Sequence, residues 1–216
     1  MIFPIGDDNI KGGYFPLFSY LFLSLNVLVF IYQVQLNETE RFLLVENFGA
    51  IPIKTWQGVG YETLFTSMFL HGGIFHLIGN MLFLWIFADN IEATIGNFWF
   101  LVFYLAGGLF AYIFHFLFNP FSEIPIVGAS GAISAVMGAY LVMFPKSRIK
   151  MFFFFLTFRI PAFLFLMFWI VQQWLDSQGF KGDQGGIAYF AHIGGFVFGV
   201  LTGFFLKRGK PLNYID

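Results

Sequence analysis

Residues 191–199 read AHIGGFVFG and lie within an apolar stretch, 186–206, that is long enough to cross a bilayer as a helix. His192, Gly195 and Gly199 are separated by three and four residues, so helical geometry places them on one face. Gly195 and Gly199 form the G-x-x-x-G pattern that lets two membrane helices approach closely. The pattern predicts a tightly packed helix whose contact face also carries a histidine, although the histidine could be incidental to the packing.

The composition of the chain indicates that much of its surface faces a bilayer. Of its 216 residues, 58% are hydrophobic and only 11% are charged, whereas a soluble domain carries about 25% charged residues. The net charge is −1, so no nucleic acid partner is expected. The chain has no cysteine, which excludes disulfides, thiolate catalysis and cysteine-based metal sites.

Six apolar stretches predict an all-α, polytopic membrane protein built from six transmembrane helices. They cover 15–36, 75–95, 98–118, 129–145, 154–174 and 186–206. The fourth stretch is short and rich in Gly and Ala, which predicts that the other helices surround it. We expect one membrane domain over 15–206, a short N-terminal tail over 1–14 and a short C-terminal tail over 207–216.

The distribution of Lys and Arg predicts that both termini face the cytoplasm. With the N-terminus inside, the inner side carries Lys11, Lys146, Arg148, Lys150, Lys207, Arg208 and Lys210, whereas the outer side carries Arg41, Lys54 and Lys181. Arg159 falls in the inner part of the fifth predicted helix. The connection 37–74 mixes aromatic and polar residues, which predicts a loop lying in the membrane interface.

A polar pair opens the second predicted helix. His76 and Asn80 are four residues apart and project from one helix face. Imidazole and carboxamide groups can both donate hydrogen bonds to a developing oxyanion, and hydrogen bonding between helices is the alternative explanation. His71 precedes the helix and is expected either to support the site from behind or to be an ordinary interfacial histidine.

The fourth predicted helix begins with Gly128-Ala129-Ser130-Gly131. The free N–H groups and the dipole at a helix N-terminus stabilise a serine alkoxide and the oxyanion that follows. Gly128 and its neighbouring glycine let a substrate backbone approach closely. Helix packing is the alternative, since Gly–Ser clusters often serve that purpose in membranes.

The same helix offers a face of small residues that matches the G-x-x-x-G face. It comprises Gly131, Ser134, Ala135 and Gly138. If the two faces meet, His192 lies against Ser130, and a nucleophile, a base and oxyanion donors come together for acyl transfer. Because no intramembrane Asp or Glu is available to orient the histidine, we expect a dyad rather than a triad.

These residues resemble the rhomboid family of intramembrane serine proteases. The resemblance covers roughly 60–206 and rests on the order and spacing of His71-x4-His76-x3-Asn80, Gly128-Ala129-Ser130-Gly131 and Ala191-His192-Ile193-Gly194-Gly195. It implies a rhomboid-like bundle in which Ser130 and His192 form the catalytic dyad. It also implies an oxyanion hole lined by His76, Asn80 and the Ser130 amide, in a wet cavity that substrate helices reach laterally.

Two positions depart from the family pattern. Glu62-Thr63 stand where many members carry Trp-Arg, which leaves open how the interfacial loop is anchored. Ser134 stands where some members carry a tyrosine stacked on the histidine, which leaves open what orients His192. The glycine-rich connection 176–186 is predicted to cap the cavity and to move with substrate, and a plain solvated turn is its alternative.

The predicted function is that of a serine endopeptidase that cleaves transmembrane segments of membrane proteins. Its expected partners are transmembrane protein substrates and the lipid bilayer, and it is expected to need neither a cofactor nor a metal. A catalytically silent relative that binds and routes membrane proteins stays open as an alternative, as does a transporter. The compact chain favours a prokaryotic plasma membrane, and the oligomeric state is left unspecified.

Overall fold

The computed structural model describes residues 2–10, 12–179 and 187–207. In chain order the elements are β1 (Ile2–Gly6), α1 (Leu17–Gln35), α2 (Glu38–Phe48), α3 (Pro52–Trp56), α4 (Thr63–Thr66), a 3-10 turn (Ser67–Phe69), α5 (Ile74–Ile95), α6 (Asn97–Phe118), α7 (Ser130–Met143), β2 (Arg148–Phe153), β3 (Leu156–Pro161), α8 (Ala162–Ser177) and α9 (Tyr189–Leu206). The protein is mostly helical, with one small sheet that the all-α prediction did not include.

Helix length separates the predicted membrane helices into two groups. Within the described residues, α1, α5, α6 and α9 are long and apolar enough to cross a membrane. The apolar helix α7 has 14 residues and α8 has 16, which is shorter than the roughly 20 residues of a full crossing. Most side chains of α7 are buried, so the neighbouring helices surround it as predicted.

The prediction of a fifth helix over 154–174 is wrong in its first part. Residues 148–161 form the antiparallel hairpin of β2 and β3, and the helix begins only at Ala162. An apolar run does not by itself distinguish a strand from a helix. Residues 148–151 alternate exposed and buried side chains, which is the period of a strand.

The N-terminal segment belongs to the same sheet. β1 pairs antiparallel with β2, so the sheet order is β1-β2-β3. The Asp8 carboxylate accepts hydrogen bonds from Arg148 Nε and Arg159 Nη1, both at 2.9 Å. Arg159 lies in β3 and not in the predicted fifth helix. These contacts place the N-terminal segment and the α7–α8 connection at the same end of the bundle.

A buried carboxylate fastens α1 to α5. Glu92 of α5 is fully buried and accepts hydrogen bonds from the backbone N–H groups of Phe18 and Ser19, at 2.8 and 2.7 Å, and from the Ser19 hydroxyl at 2.7 Å. Both N–H groups belong to the first turn of α1, where they have no acceptor within the helix. The positive end of the helix dipole also favours an anion there, so this contact fixes where α1 lies.

α7 and α9 pack backbone against backbone. A Cβ added at Gly199 would lie 1.9 Å from the Ala135 carbonyl oxygen, and one at Gly195 would lie 2.2 Å from the Gly131 carbonyl oxygen. At Gly138 it would lie 2.1 Å from a carbonyl oxygen of α9. No side chain fits at these positions without separating the helices, and this close approach determines the geometry of the site.

The connection between α1 and α5 is anchored without a Trp-Arg pair. Ala50 of this connection exchanges two backbone hydrogen bonds, at 3.1 and 2.8 Å, with Ile126 in the loop before α7. The Thr55 hydroxyl lies 2.6 Å from the Tyr112 hydroxyl of α6. These contacts hold the connection on α6 and α7, so Glu62 and Thr63 need not supply the anchor.

Candidate active site

The serine and the histidine of the predicted site lie side by side. Ser130 is the first residue of α7 and His192 lies in the first turn of α9. His192 Nε2 is 2.8 Å from Ser130 Oγ. Gly195, one turn after the histidine, packs on the carbonyl group of Gly131, which directly follows the serine. The close contact between the helices is therefore what brings the two side chains together.

Gln173 of α8 extends this line of hydrogen bonds. Its Oε1 lies 2.6 Å from His192 Nδ1, and the glutamine is buried. Because a carbonyl oxygen only accepts, Nδ1 carries the proton and Nε2 presents its lone pair to Ser130. The Ser130 hydroxyl then donates to the imidazole, which is the arrangement that a general base requires.

Gln173 is not among the residues predicted from the sequence, since the expectation of a dyad rests on the lack of an intramembrane Asp or Glu. A signal was present, since Gln172 and Gln173 stand together inside an apolar stretch. Strongly polar side chains within a membrane are costly and therefore point to function. Both glutamines line the cavity, and which of them reaches His192 depends on the rotation of α8, which the tertiary structure sets.

Aromatic rings flank the imidazole. Ring centroids of Trp169 and Tyr189 lie 6.0 and 6.4 Å from that of His192. Ser134, which occupies the position of the stacked tyrosine, donates its hydroxyl to the Ser130 carbonyl oxygen at 2.6 Å. Its hydroxyl is thus used within α7, and the imidazole is held by groups from α8 and α9.

Two hydrogen-bond donors of α5 converge on the segment just before Ser130. His76 Nδ1 accepts from the Gly72 N–H at 3.4 Å, which leaves Nε2 as the donor. Asn80 Nδ2 is buried and has no partner within the described residues. A Cβ on Gly128, whose φ is +119°, would lie 2.8 Å from His76 Nε2 and 3.3 Å from Asn80 Nδ2. Only glycine leaves this space open beside the serine.

His71 lies behind these donors. Its backbone N–H and carbonyl group both bind the Gln33 side chain of α1, at 3.0 and 3.2 Å. Its ring packs edge-on against that of His76, with centroids 5.2 Å apart. Burial, with a contribution from the neighbouring His76 imidazole, lowers the pKa of His71 from 6.5 to about 4. His71 is therefore neutral near pH 7.

The residues of the candidate site other than His71 line one cavity of about 640 Å³. Polar groups from α5, α7, α8 and α9 face it, among them His76, Asn80, Ser130, Gln173, Asp176 and His192. Apolar side chains complete the wall, including Met68, Phe83 and Trp169. Ile187 and Tyr189 also line the cavity, but residues 180–186 of the predicted cap lie outside the described part of the chain.

Comparisons with known proteins identify the family of the chain. Residues 57–209 match the rhomboid domain family. Rhomboid protease GluP of Bacillus subtilis (strain 168) is 38% identical over 138 residues, which cover 63% of this chain and 26% of that protein. Rhomboid protein 1, mitochondrial, of Saccharomyces cerevisiae is 30% identical over 146 residues, covering 66% of this chain and 41% of the relative.

A human relative extends the comparison. The presenilin-associated rhomboid-like protein, mitochondrial, of Homo sapiens is 28% identical over 138 residues, covering 62% of this chain and 35% of that protein. The matched region therefore spans less than half the length of each of these three relatives. Since the family match covers most of the sequence and the helices suit a bilayer, the chain belongs to the rhomboid family and is an integral membrane protein.

Proposed function

We propose that this protein is a serine endopeptidase that cleaves transmembrane segments of other membrane proteins. The observation that carries the proposal is the 2.8 Å contact between Ser130 Oγ and His192 Nε2 inside a polar cavity. A serine used only for packing needs neither a base nor unpaired donors beside it. The family membership and the name of the protease from Bacillus subtilis support the same assignment.

In the proposed reaction Ser130 Oγ attacks a backbone carbonyl carbon of the substrate, and His192 Nε2 takes the hydroxyl proton. Gln173 Oε1 holds the Nδ1–H throughout, which keeps the imidazole in the reactive tautomer and orientation. His192 then gives its proton to the leaving amine as the peptide bond breaks. A water molecule hydrolyses the acyl-enzyme, and His192 acts again as its base.

The oxyanion of the tetrahedral intermediate is proposed to bind beside Gly128. His76 Nε2–H and Asn80 Nδ2–H reach this space from α5. The backbone N–H of Ser130 belongs to the first turn of α7, where it has no acceptor within the helix. Donors aimed at developing charge in a site shielded from bulk water contribute strongly to catalysis.

The proposed topology has six crossings, formed by α1, α5, α6, α7, α8 and α9. The short α7 fits this topology because it starts at the floor of a water-accessible cavity and needs to span only the rest of the bilayer. A substrate helix must unwind locally before its carbonyl can be attacked. Residues that weaken a helix near the cut are therefore expected to favour cleavage.

The proposed orientation has both termini in the cytoplasm. Asp8 contacts the α7–α8 connection, and Lys207 Nζ donates to the Val142 carbonyl oxygen at 3.1 Å. The N-terminal segment, the end of α9 and this basic connection thus share one end of the bundle, in keeping with the positive-inside rule. We propose a prokaryotic plasma membrane, although the relatives include bacterial and mitochondrial proteins.

The test is cleavage of a labelled transmembrane substrate by the purified protein in proteoliposomes. Wild type is expected to cleave it, and Ser130→Ala and His192→Ala to abolish cleavage while remaining folded. Ser134→Ala is the matched control, because it removes a hydroxyl from the next turn of the same helix and should retain activity. Covalent modification by a serine-reactive phosphonate should map to Ser130 alone.

The same assay separates the alternatives. Substrate binding by wild type without any cleavage, across a panel of transmembrane segments, would identify a silent relative that routes membrane proteins. Solute flux that persists in Ser130→Ala, in the absence of proteolysis, would identify a transporter. Either result overturns the protease assignment.

A further inference from the structure

The hairpin of β2 and β3 ends in an exposed apolar tip. Phe153 and Leu156 form its last pair, so Phe154 and Phe155 alone make the turn. The exposed fraction is 37% for Phe153, 62% for Phe154, 95% for Phe155 and 70% for Leu156. Contiguous apolar patches of this kind are uncommon on surfaces that face only water and usually mark a binding surface. We define these four residues, Phe153–Leu156, as the hairpin tip.

The backbone conformation of the turn does not explain why aromatic residues occupy it. Phe154 has a φ of 53° and is the only non-glycine residue with positive φ in the described part of the chain. Two-residue hairpin turns favour Asn and Gly, which adopt the left-handed region at little cost. A bulky aromatic residue is disfavoured there. The aromatic rings are therefore better explained by what the tip contacts.

The two faces of the hairpin differ in chemistry. Ile149 and Met151 point into the core. On the opposite face Lys150 pairs in register with Arg159, and Arg148 lies two residues before the lysine. All three cationic residues are exposed. The sheet thus presents a basic, water-accessible face that leads to an aromatic tip.

The positive charge of this surface is only partly balanced. Asp8 forms ion pairs with Arg148 and Arg159. Within the described residues neither Lys146 nor Lys150 forms an ion pair. In the described part of the chain these two exposed lysines therefore remain available, which suits an anionic surface.

The position of the hairpin identifies that surface. It connects the end of α7 to the start of α8, at the end of the bundle that we assign to the cytoplasm. Strands of six residues reach about 20 Å, so the tip can extend beyond the helix ends into the surrounding interface. Anionic lipids concentrate in the cytoplasmic leaflet and attract Lys and Arg, and aromatic side chains are enriched at the interface.

We propose that the hairpin is a membrane anchor in which the tip Phe153–Leu156 inserts into the interfacial region of the cytoplasmic leaflet. In this proposal Lys146, Arg148, Lys150 and Arg159 bind anionic lipid headgroups. The anchor fixes the start of α8, the helix that carries Gln173. It rests on the proposed orientation but not on proteolytic activity.

The absence of cysteine from the chain allows a direct test. A nitroxide spin label is attached to the single-cysteine variant Phe155→Cys, in proteoliposomes of phosphatidylcholine with or without phosphatidylglycerol. Collisions with oxygen report lipid, and collisions with a water-soluble nickel chelate report water. Leu28→Cys, on the exposed side of α1, and Glu38→Cys, at the start of α2, serve as lipid and water references.

In vesicles containing phosphatidylglycerol, the oxygen-to-nickel collision ratio at Phe155→Cys is expected to exceed that at Glu38→Cys several-fold. A ratio equal to that at Glu38→Cys would overturn the insertion of the tip. Replacing phosphatidylglycerol by phosphatidylcholine, or combining Lys146→Gln with Lys150→Gln, is expected to lower the ratio. An unchanged ratio in both cases would overturn the role of anionic headgroups.

The readout is independent of cleavage. A protein that fails to cut any substrate but shows a lipid-protected tip refutes the protease assignment and supports the anchor. A protein that cleaves normally while its tip is fully water-exposed supports the protease assignment and refutes the anchor.

Discussion

Gln173 Oε1 lies 2.6 Å from His192 Nδ1, so an uncharged amide occupies the position where many serine hydrolases place a carboxylate. An amide oxygen fixes the tautomer and the direction of the ring but adds no negative charge to the site. This choice suits a membrane interior, where an unpaired carboxylate would be costly. In the proposed mechanism Gln173 is therefore a positioning residue that acts through the histidine.

Removing this acceptor is expected to slow turnover. Gln173→Ala should lower kcat by about 10-fold to 100-fold, corresponding to about 1.4–2.7 kcal/mol of lost transition-state stabilisation, with KM little changed. Gln173→Glu retains an acceptor and should keep more activity than the alanine variant. Gln172→Ala is the neighbouring control and should stay close to wild type. Equal loss in Gln172→Ala and Gln173→Ala would contradict a specific role for Gln173.

The proposed oxyanion donors should affect the chemical step more than substrate binding. Asn80→Ala removes a buried donor that has no partner in the described structure, and loss of one oxyanion-hole donor typically costs about 10²–10³ in kcat. Steady-state kinetics in proteoliposomes, with thermal unfolding as the check on folding, measure the effect. A rise in KM at constant kcat would show instead that Asn80 binds the substrate in its ground state.

The backbone contact between α7 and α9 should be intolerant of even one methyl group. Gly199→Ala places a Cβ 1.9 Å from the Ala135 carbonyl oxygen, and overpacking of this kind costs about 1–3 kcal/mol or more. We expect a lower Tm in detergent and loss of activity as Ser130 and His192 separate. Gly79→Ala is the control, since a Cβ there meets nothing within 4 Å. The idea fails if both variants unfold at the wild-type temperature.

The N-terminal segment should make stability depend on pH. Burial raises the pKa of Asp7 from 3.8 to about 8, against the opposing effect of its hydrogen bonds with Tyr140 and Asn90. Between these two values the folded protein keeps a proton that the unfolded chain releases, so the unfolded state binds fewer protons. Asp7 therefore makes folding progressively less favourable as pH rises from about 4 to about 8.

The measurement for Asp7 is Tm between pH 5 and pH 8 for wild type and Asp7→Asn. The variant cannot ionise at this position, so its Tm should fall less steeply with rising pH than that of wild type. Parallel curves for the two proteins would show that Asp7 titrates alike in the folded and unfolded states.

Local sequence spacing was sufficient to predict which residues of the candidate site lie close together. The four-residue step from His76 to Asn80 places both side chains on one helix face in any helix. The glycines around Ser130 and after His192 predict close helix contact, because only small residues permit it. These signals are local and periodic, so they can be recognised in the linear chain.

The β2–β3 hairpin could not be distinguished from helix by hydrophobicity. The run from Phe152 to Leu156 is apolar in either conformation, and only pairing with β1 and the contacts of Asp8 satisfy the backbone and charges as a sheet. That pairing joins segments about 150 residues apart in the sequence. Local propensity carries no information about such a partner.

What the sequence by itself determined is the bilayer setting, the approximate positions of the membrane helices, and the presence of the residue types that the proposed acyl transfer needs, since these follow from composition and short-range spacing. Only the tertiary structure decided that Gln173 orients His192, that Glu92 holds the start of α1, and that Asp8 joins the N-terminal strand to the basic hairpin. Each of these contacts links different elements, and the rotation and depth of one helix against another arise from packing over the whole bundle. A change in that packing would separate these pairs while leaving every local pattern intact.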